Sequence, residues 1–149
     1  MRFVADHMLG RLARWLRLLG YDVIYPDAGK SDVDIIQIAK SEERILLTRD
    51  KKLAENASNA VLLKNMDVCG QIEELKEKLG IKVSLELTRC SECNSVIERV
   101  DTGFARGKVP ERVLLRFSEF WYCRKCRKLY WYGSHVENMR VRIEDENSA

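Results

Sequence analysis

The sequence predicts an α/β protein, a parallel sheet flanked by helices, followed by a small cysteine-built module. Two observations carry this reading. Short apolar runs alternate strictly with helix-like stretches through residue 80, an order that folds most economically as parallel strands joined by right-handed crossovers. Beyond that point, four of the five cysteines fall as two C-x-x-C pairs, Cys90/Cys93 and Cys123/Cys126.

The elements follow in order. Residues 2–5 (RFVA) read as a strand. Leu9, Leu12, Leu16 and Leu19 recur at helical spacing with Trp15 beside them, predicting a helix over 8–19 that Gly20 stops. Arg11, Arg14 and Arg17 fall on the opposite side, and Arg17 reads as part of a solvated face. Residues 22–25 (DVIY) are a second strand and 26–30 a loop. Ser31 or Asp32 caps a helix reaching residue 39, with Ile35, Ile36 and Ile38 as its apolar positions. Residues 44–48 (RILLT) form a buried third strand ended by Arg49-Asp50; a short helix over 51–56 and a fourth strand over 60–63 follow. Asp67 falls in a loop before a helix over 71–79, which Gly80 stops. Residues 81–87 (IKVSLEL) alternate as a strand does and lead into the second module. The chain thus divides into 1–85, 86–139 and a frayed acidic tail over 140–149.

At 149 residues, with 46% apolar and 33% charged content, the chain can bury a real core. It contains no apolar run of membrane-spanning length and no basic-then-apolar leader, so no membrane partner and a cytoplasmic location are expected. The net charge of +3 is unevenly spread: residues 1–85 carry 14 basic and 13 acidic groups, residues 86–135 carry 10 and 6. That bias permits a nucleic-acid partner without demanding one.

In a parallel α/β sheet, ligands bind outside the carboxyl ends of the strands. Asp6 lies just past the first strand, Asp50 just past the third, and Asp32 at the start of a helix that opens at the same edge. Three carboxylates there repel one another unless a cation sits among them. An all-oxygen set favours Mg²⁺ or Mn²⁺, which can activate water for phosphodiester cleavage. The competing reading makes Asp32 and Asp50 simple helix caps. Arg11 and Arg14, near the helix start, are placed either to fork onto phosphates or to face solvent. Arg49 can pair with one of the acids instead of with RNA, and His7 reads as structural rather than as a proton shuttle.

The cysteine pairs are separated by 29 residues. Two such turns brought together offer four thiolates in a tetrahedron, the donor set of structural zinc, and the long gap requires an insert within the ribbon. Asn94 after the first pair tolerates the left-handed backbone such a turn often needs; Arg127 after the second is less accommodating. Cys69, alone in an apolar setting, reads as a small core residue. His135 is not needed as a ligand. Seven of the twelve aromatics lie between Phe117 and Tyr132, interleaved with Arg116, Arg124, Lys125, Arg127 and Lys128. Such residues either stack on RNA bases and meet phosphates or form the ribbon's small core, and a mixed role is expected.

Three segments carry a family resemblance: FVADHMLGRLARWLRLLGYD, SDVDIIQIA and RILLTRDKKL. They resemble the PIN-like RNase domain of the Mut-seven C-terminal family, and RCSECN and YWYGSH resemble the zinc ribbon that follows it. The resemblance implies a PIN-like fold and a divalent-metal-dependent ribonuclease. Position by position, it implies Asp6, Asp32 and Asp50 as the metal-binding acids, Thr48 as a supporting hydroxyl, and Asp34 as a substitute for Asp32. PIN-like sites often use a fourth acid, to which no residue here is assigned. The expected function is therefore an endonucleolytic ribonuclease acting with Mg²⁺ or Mn²⁺. Its ribbon, holding zinc through Cys90, Cys93, Cys123 and Cys126, binds RNA through residues such as Arg124 and Lys125 or supports the domain. The alternative is a non-catalytic adaptor associated with RNA, the ribosome or another RNA-processing protein.

Overall fold

A computed structural model describes residues 1–133; the tail and the last residues assigned to the ribbon, His135 among them, lie outside the described residues. The first unit runs β1 (Arg2–Ala5), α1 (Gly10–Leu18), β2 (Asp22–Ile24), α2 (Asp32–Ser41), β3 (Ile45–Thr48), α3 (Lys51–Asn56), β4 (Ala60–Leu62) and α4 (Val68–Leu79). A single 3-10 turn at His7–Leu9 joins β1 to α1. All four strands are parallel, in the order β2-β1-β3-β4.

The two-residue period of each strand divides its side chains between two layers. Phe3, Ala5 and Leu47 pack with Leu12, Leu16, Ile72 and Leu75 of α1 and α4. Val4 and Leu46 pack on the other face with Ile35 and Ala39 of α2 and Leu53 of α3. Both faces are covered, which is why these strands read as continuous apolar runs.

Three helices of this unit start where a side chain satisfies their first free N–H groups, whereas α1, which continues from the 3-10 turn, has no side-chain cap. Ser31 and Asp34 form a reciprocal capping box on α2. Asp50 caps α3 by accepting from the Leu53 N–H. Asp67 caps α4 by accepting from Gly70, so that helix begins at Val68 rather than at residue 71, and Asp67 is a cap rather than a loop residue. Gly80 ends α4 in the left-handed conformation, at φ 65°.

Residues 81–87 do not form the expected strand. Their alternation is real, with Ile81, Val83, Leu85 and Leu87 turned toward apolar clusters, but the segment lies along α1 and finds no ladder. A single backbone bond joins Glu86 N–H to the Leu18 carbonyl.

The second unit is an antiparallel sheet, β5 (Glu98–Val100), β6 (Phe120–Cys123) and β7 (Lys128–Tyr130), in that order. The insert demanded by the long cysteine gap holds β5 and two short helices, α5 (Thr102–Ala105) and α6 (Glu111–Arg116). The two units share a core: Leu18 of α1 packs with Leu87, Cys90, Ile97, Cys123 and Tyr130. No helix among the described residues is long and apolar enough to cross a membrane.

Candidate functional site

Strand register decides which acids meet. Val4 pairs with Leu46 and Ala5 with Leu47, so Asp6 comes opposite Thr48. Both share the parity of Val4 and Leu46 and therefore the sheet face that α2 and α3 cover. The Thr48 hydroxyl donates to Asp6 Oδ2 at 2.8 Å and accepts from the Asp50 N–H at 2.9 Å. Asp6 is buried at 7% exposure and Thr48 at 0%. One hydroxyl thus joins the acids that follow β1 and β3, and with its proton and a lone pair both engaged it cannot rotate freely. The Asp6 N–H, bonded to the Leu47 carbonyl, holds the backbone at that edge.

The remaining acids are placed differently. Asp32 is the first residue of α2, exposed, with no side-chain hydrogen bond among the described residues. Asp34 is committed to the cap: its Oδ2 accepts from the Ser31 N–H at 3.0 Å and hydroxyl at 3.1 Å. Those bonds, first the backbone and then the side chain of Ser31, hold its carboxyl below the ordinary value. Asp6 and Asp50 are thus linked through Thr48, while among the described residues no hydrogen bond joins Asp32 to either of them. Among the described residues, the one set of three or more potential metal ligands whose donor atoms converge is the four cysteines.

The cations around this edge also sort out. Arg11 is exposed and makes no ion pair among the described residues, whereas Arg14 lies 3.9 Å from Glu92. Arg49 pairs with no acid, and its Nε is buried without a hydrogen-bond partner among the described residues. His7 is structural: its Nε2 meets the Lys30 carbonyl at 2.9 Å and its carbonyl accepts from the Tyr25 hydroxyl at 2.5 Å. These contacts hold the loop over 26–30 beside β1.

Arg17 is a correction. It does not lie on a solvated face but is buried at 6% exposure, donating to the carbonyls of Val23, Ser91 and Glu92 at 3.0, 2.9 and 3.2 Å. The guanidinium lies between β2 and the first cysteine turn, a neighbour that helical spacing alone does not reveal. Burial is the main influence lowering its pKa. Asn94 makes the companion link, accepting from Val23 N–H and donating to Asp22 at 2.7 Å. Asp22 in turn binds the buried Arg44 at 2.8 Å. Arg2 donates to the Glu42 carbonyl nearby.

At the cysteine module, the four Sγ atoms all lie within 4.8 Å of one another, with Cys93 and Cys123 3.6 Å apart and no disulfide formed. A tetrahedron of Zn–S bonds near 2.3 Å has sulfur–sulfur edges of about 3.8 Å, so the set fits one zinc ion. Asn94 and Arg127 both take left-handed backbone, at φ 71° and 57°; the arginine adopts it as fully as the asparagine. The backbone bonds Asn94 N–H to Cys90 O and Arg127 N–H to Cys123 O close the two turns. The thiols' own interactions pull their titrations apart. Cys93 is pulled down to about 6, because hydrogen bonds from Ser95 outweigh burial, while the neighbouring Cys93 pushes Cys126 up to about 12.

Tyr130, one of the clustered aromatics, has a role beside the thiols that the sequence did not indicate. Its hydroxyl lies 3.0 Å from Cys90 Sγ and accepts from the Ser91 N–H at 3.1 Å. Tyr130 opens the YWYGSH segment, but its contact with Cys90, 40 positions away, is made only by the packing of the first cysteine turn against β7. Of the seven clustered aromatics, Phe120 and Tyr130 are buried and the rest are half-buried. Cys69 is buried in α4. Arg124 bonds Glu98 at 2.7 Å, and Lys125 is exposed.

A doubly covered parallel sheet with acids following its strands, then a four-cysteine antiparallel module, makes this a mixed α/β protein with a cysteine cluster consistent with a zinc ribbon. More particularly, the chain belongs to the family described as the Mut7-C RNAse domain, which matches residues 1–143. The family is of ribonuclease type. A search of curated proteins gives no match.

Proposed function

We propose that this chain is a divalent-cation-dependent ribonuclease that cleaves RNA endonucleolytically in the cytoplasm. The observation that supports it most is the Thr48 hydroxyl held between the Asp6 carboxylate and the Asp50 N–H at the carboxyl edge of the sheet. Asp6, Asp50 and Asp32 are the residues that would hold Mg²⁺ or Mn²⁺. When bound, such an ion activates water and neutralises charge that builds on the cleaved phosphodiester. Thr48 fixes the Asp6 carboxylate in one orientation, which lowers the reorganisation needed when RNA arrives. Arg11, exposed one residue into α1, is the nearest free cation in sequence to Asp6 and is assigned to substrate phosphate. Zinc in the four-cysteine site is structural, because four thiolates leave no open position.

The test is cleavage of a labelled single-stranded RNA with Mn²⁺, compared with Asp6→Asn. Loss of cleavage in the variant at unchanged melting temperature supports the assignment; equal cleavage by both proteins overturns it. One observation favours a second reading, a non-catalytic RNA- or ribosome-associated adaptor: the three carboxylates are engaged separately and do not converge as the thiols do. That reading predicts RNA binding without strand cleavage at any Mn²⁺ concentration.

A further inference from the structure

We propose that residues 104–117, within the insert between the two cysteine pairs, are the chain's main grip on single-stranded RNA. This rests on the ribonuclease reading for the identity of its ligand.

The segment FARGKVPERVLLRF holds Arg106, Lys108, Arg112 and Arg116 against a single acid, Glu111. All four cations are exposed. None makes an ion pair among the described residues; on the adjoining ribbon Arg99 pairs with Glu119, Arg124 with Glu98 and Lys128 with Glu92, leaving Lys125 and Arg127 of the β6–β7 turn without an ion pair among the described residues. Unpaired cations held together repel one another, and a polyanion relieves that repulsion by releasing its own counterions.

The cations stand on a built platform. Ala105 and Val113 are buried with Phe120, and Val109, Leu114 and Phe117 pack against them. With Val113 and Phe117 turned inward, Arg112 and Arg116, one turn apart, share the outer face of α6. Leu115, 83% exposed, lies on that same outer face. At the other end of the insert, Phe104 is 36% exposed and rests edge-on against Tyr122, ring centroids 4.8 Å apart. The Lys108 ammonium sits 4.2 Å from the Phe104 ring centroid. An exposed ring, an exposed leucine and interleaved cations match a strand whose bases are free to stack and whose phosphates run alongside. A duplex hides its base faces and offers only the phosphates.

The experiment measures binding of a fluorescein-labelled 12-nucleotide single-stranded RNA by anisotropy across a KCl series. It uses zinc-loaded full-length protein in the Asp6→Asn background, so that cleavage does not interfere. The variant replaces Arg106, Lys108, Arg112 and Arg116 with Gln, and zinc content and melting temperature confirm that it folds. Each phosphate contact on a single strand contributes a slope of about 0.7 in log K against log [salt], so the slope should fall by up to about 3 and affinity by at least tenfold. If the fourfold variant does not fold, the pairs Arg106/Lys108 and Arg112/Arg116 are replaced separately, each lowering the slope by about 1.4. Phe104→Leu should weaken binding with the slope unchanged. An unaltered slope and affinity in the charge variants overturn the proposal, as does failure of the parent protein to bind the RNA. Insert-dependent binding by a wild-type chain that cleaves nothing supports this proposal and removes the catalytic reading alone.

Discussion

Thr48→Val tests the candidate site at the atom that joins it. The substitution keeps the shape of the side chain and removes only the hydroxyl. Buried Asp6 then loses its donor at 2.8 Å, and the Asp50 N–H loses its acceptor at 2.9 Å. A hydrogen bond to a charged group is worth about 1.5–3 kcal/mol and a neutral one about 1 kcal/mol. Asp50 is exposed, so water replaces part of the second loss. The expected cost is about 3 kcal/mol. For a chain of this size each kcal/mol moves the melting temperature by about 2–4 °C, which predicts a fall of about 6–12 °C. Thermal unfolding followed by circular dichroism, with zinc present, measures it. Cleavage of RNA with Mn²⁺ should fall in parallel, measured below the transition, because Asp6 is no longer held in place. Thr48→Ser, which keeps the hydroxyl, should recover most of both. A Thr48→Val protein that melts within about 1 °C of wild type and cleaves normally would refute the reasoning, since no shared hydroxyl would then organise the site.

The ribbon and its junction yield three more expectations. Arg17→Met retains an apolar stem but strips donors from the carbonyls of Val23, Ser91 and Glu92; a loss of about 2–4 kcal/mol is expected, with faster hydrogen exchange at residues 90–94 than in β1 and β3. Burial pushes Asp22 up, but hydrogen bonds from Arg44 and Asn94 outweigh it and hold its carboxyl below the usual range. A depressed pKa stabilises above the unfolded value of about 4 and that stability disappears as pH falls through the folded pKa, so denaturant midpoints of wild type should drop below about pH 4 more steeply than those of Asp22→Asn. Chelating zinc, or Cys90→Ser, should abolish the near-ultraviolet dichroism of the ribbon aromatics, while Cys69→Ala keeps one zinc per chain by atomic absorption.

Much of the fold is legible because its signals are local. The leucine period of α1, the apolar runs of β1 and β3, and the Ser31 and Asp50 caps each declare themselves within a few residues. The two C-x-x-C pairs are equally plain, since zinc requires tight turns that present thiolates in pairs. Residues 81–87 show where locality misleads. Their alternation records which side chains are buried, and burial against α1 produces that pattern as readily as a sheet does.

By itself the sequence determined the alternating α/β order, the four cysteines that converge and the acids that follow the strands. Those properties depend on spacing along the chain. The tertiary structure alone decided that β1 and β3 are neighbours, in a register that sets Asp6 against Thr48. It also decided that Arg17 and Asn94 join the ribbon to the sheet, and that Tyr130 meets Cys90. Each of these contacts spans about 40 or more positions. A hydrogen bond at that separation depends on how elements pack, and no local pattern of residues encodes it.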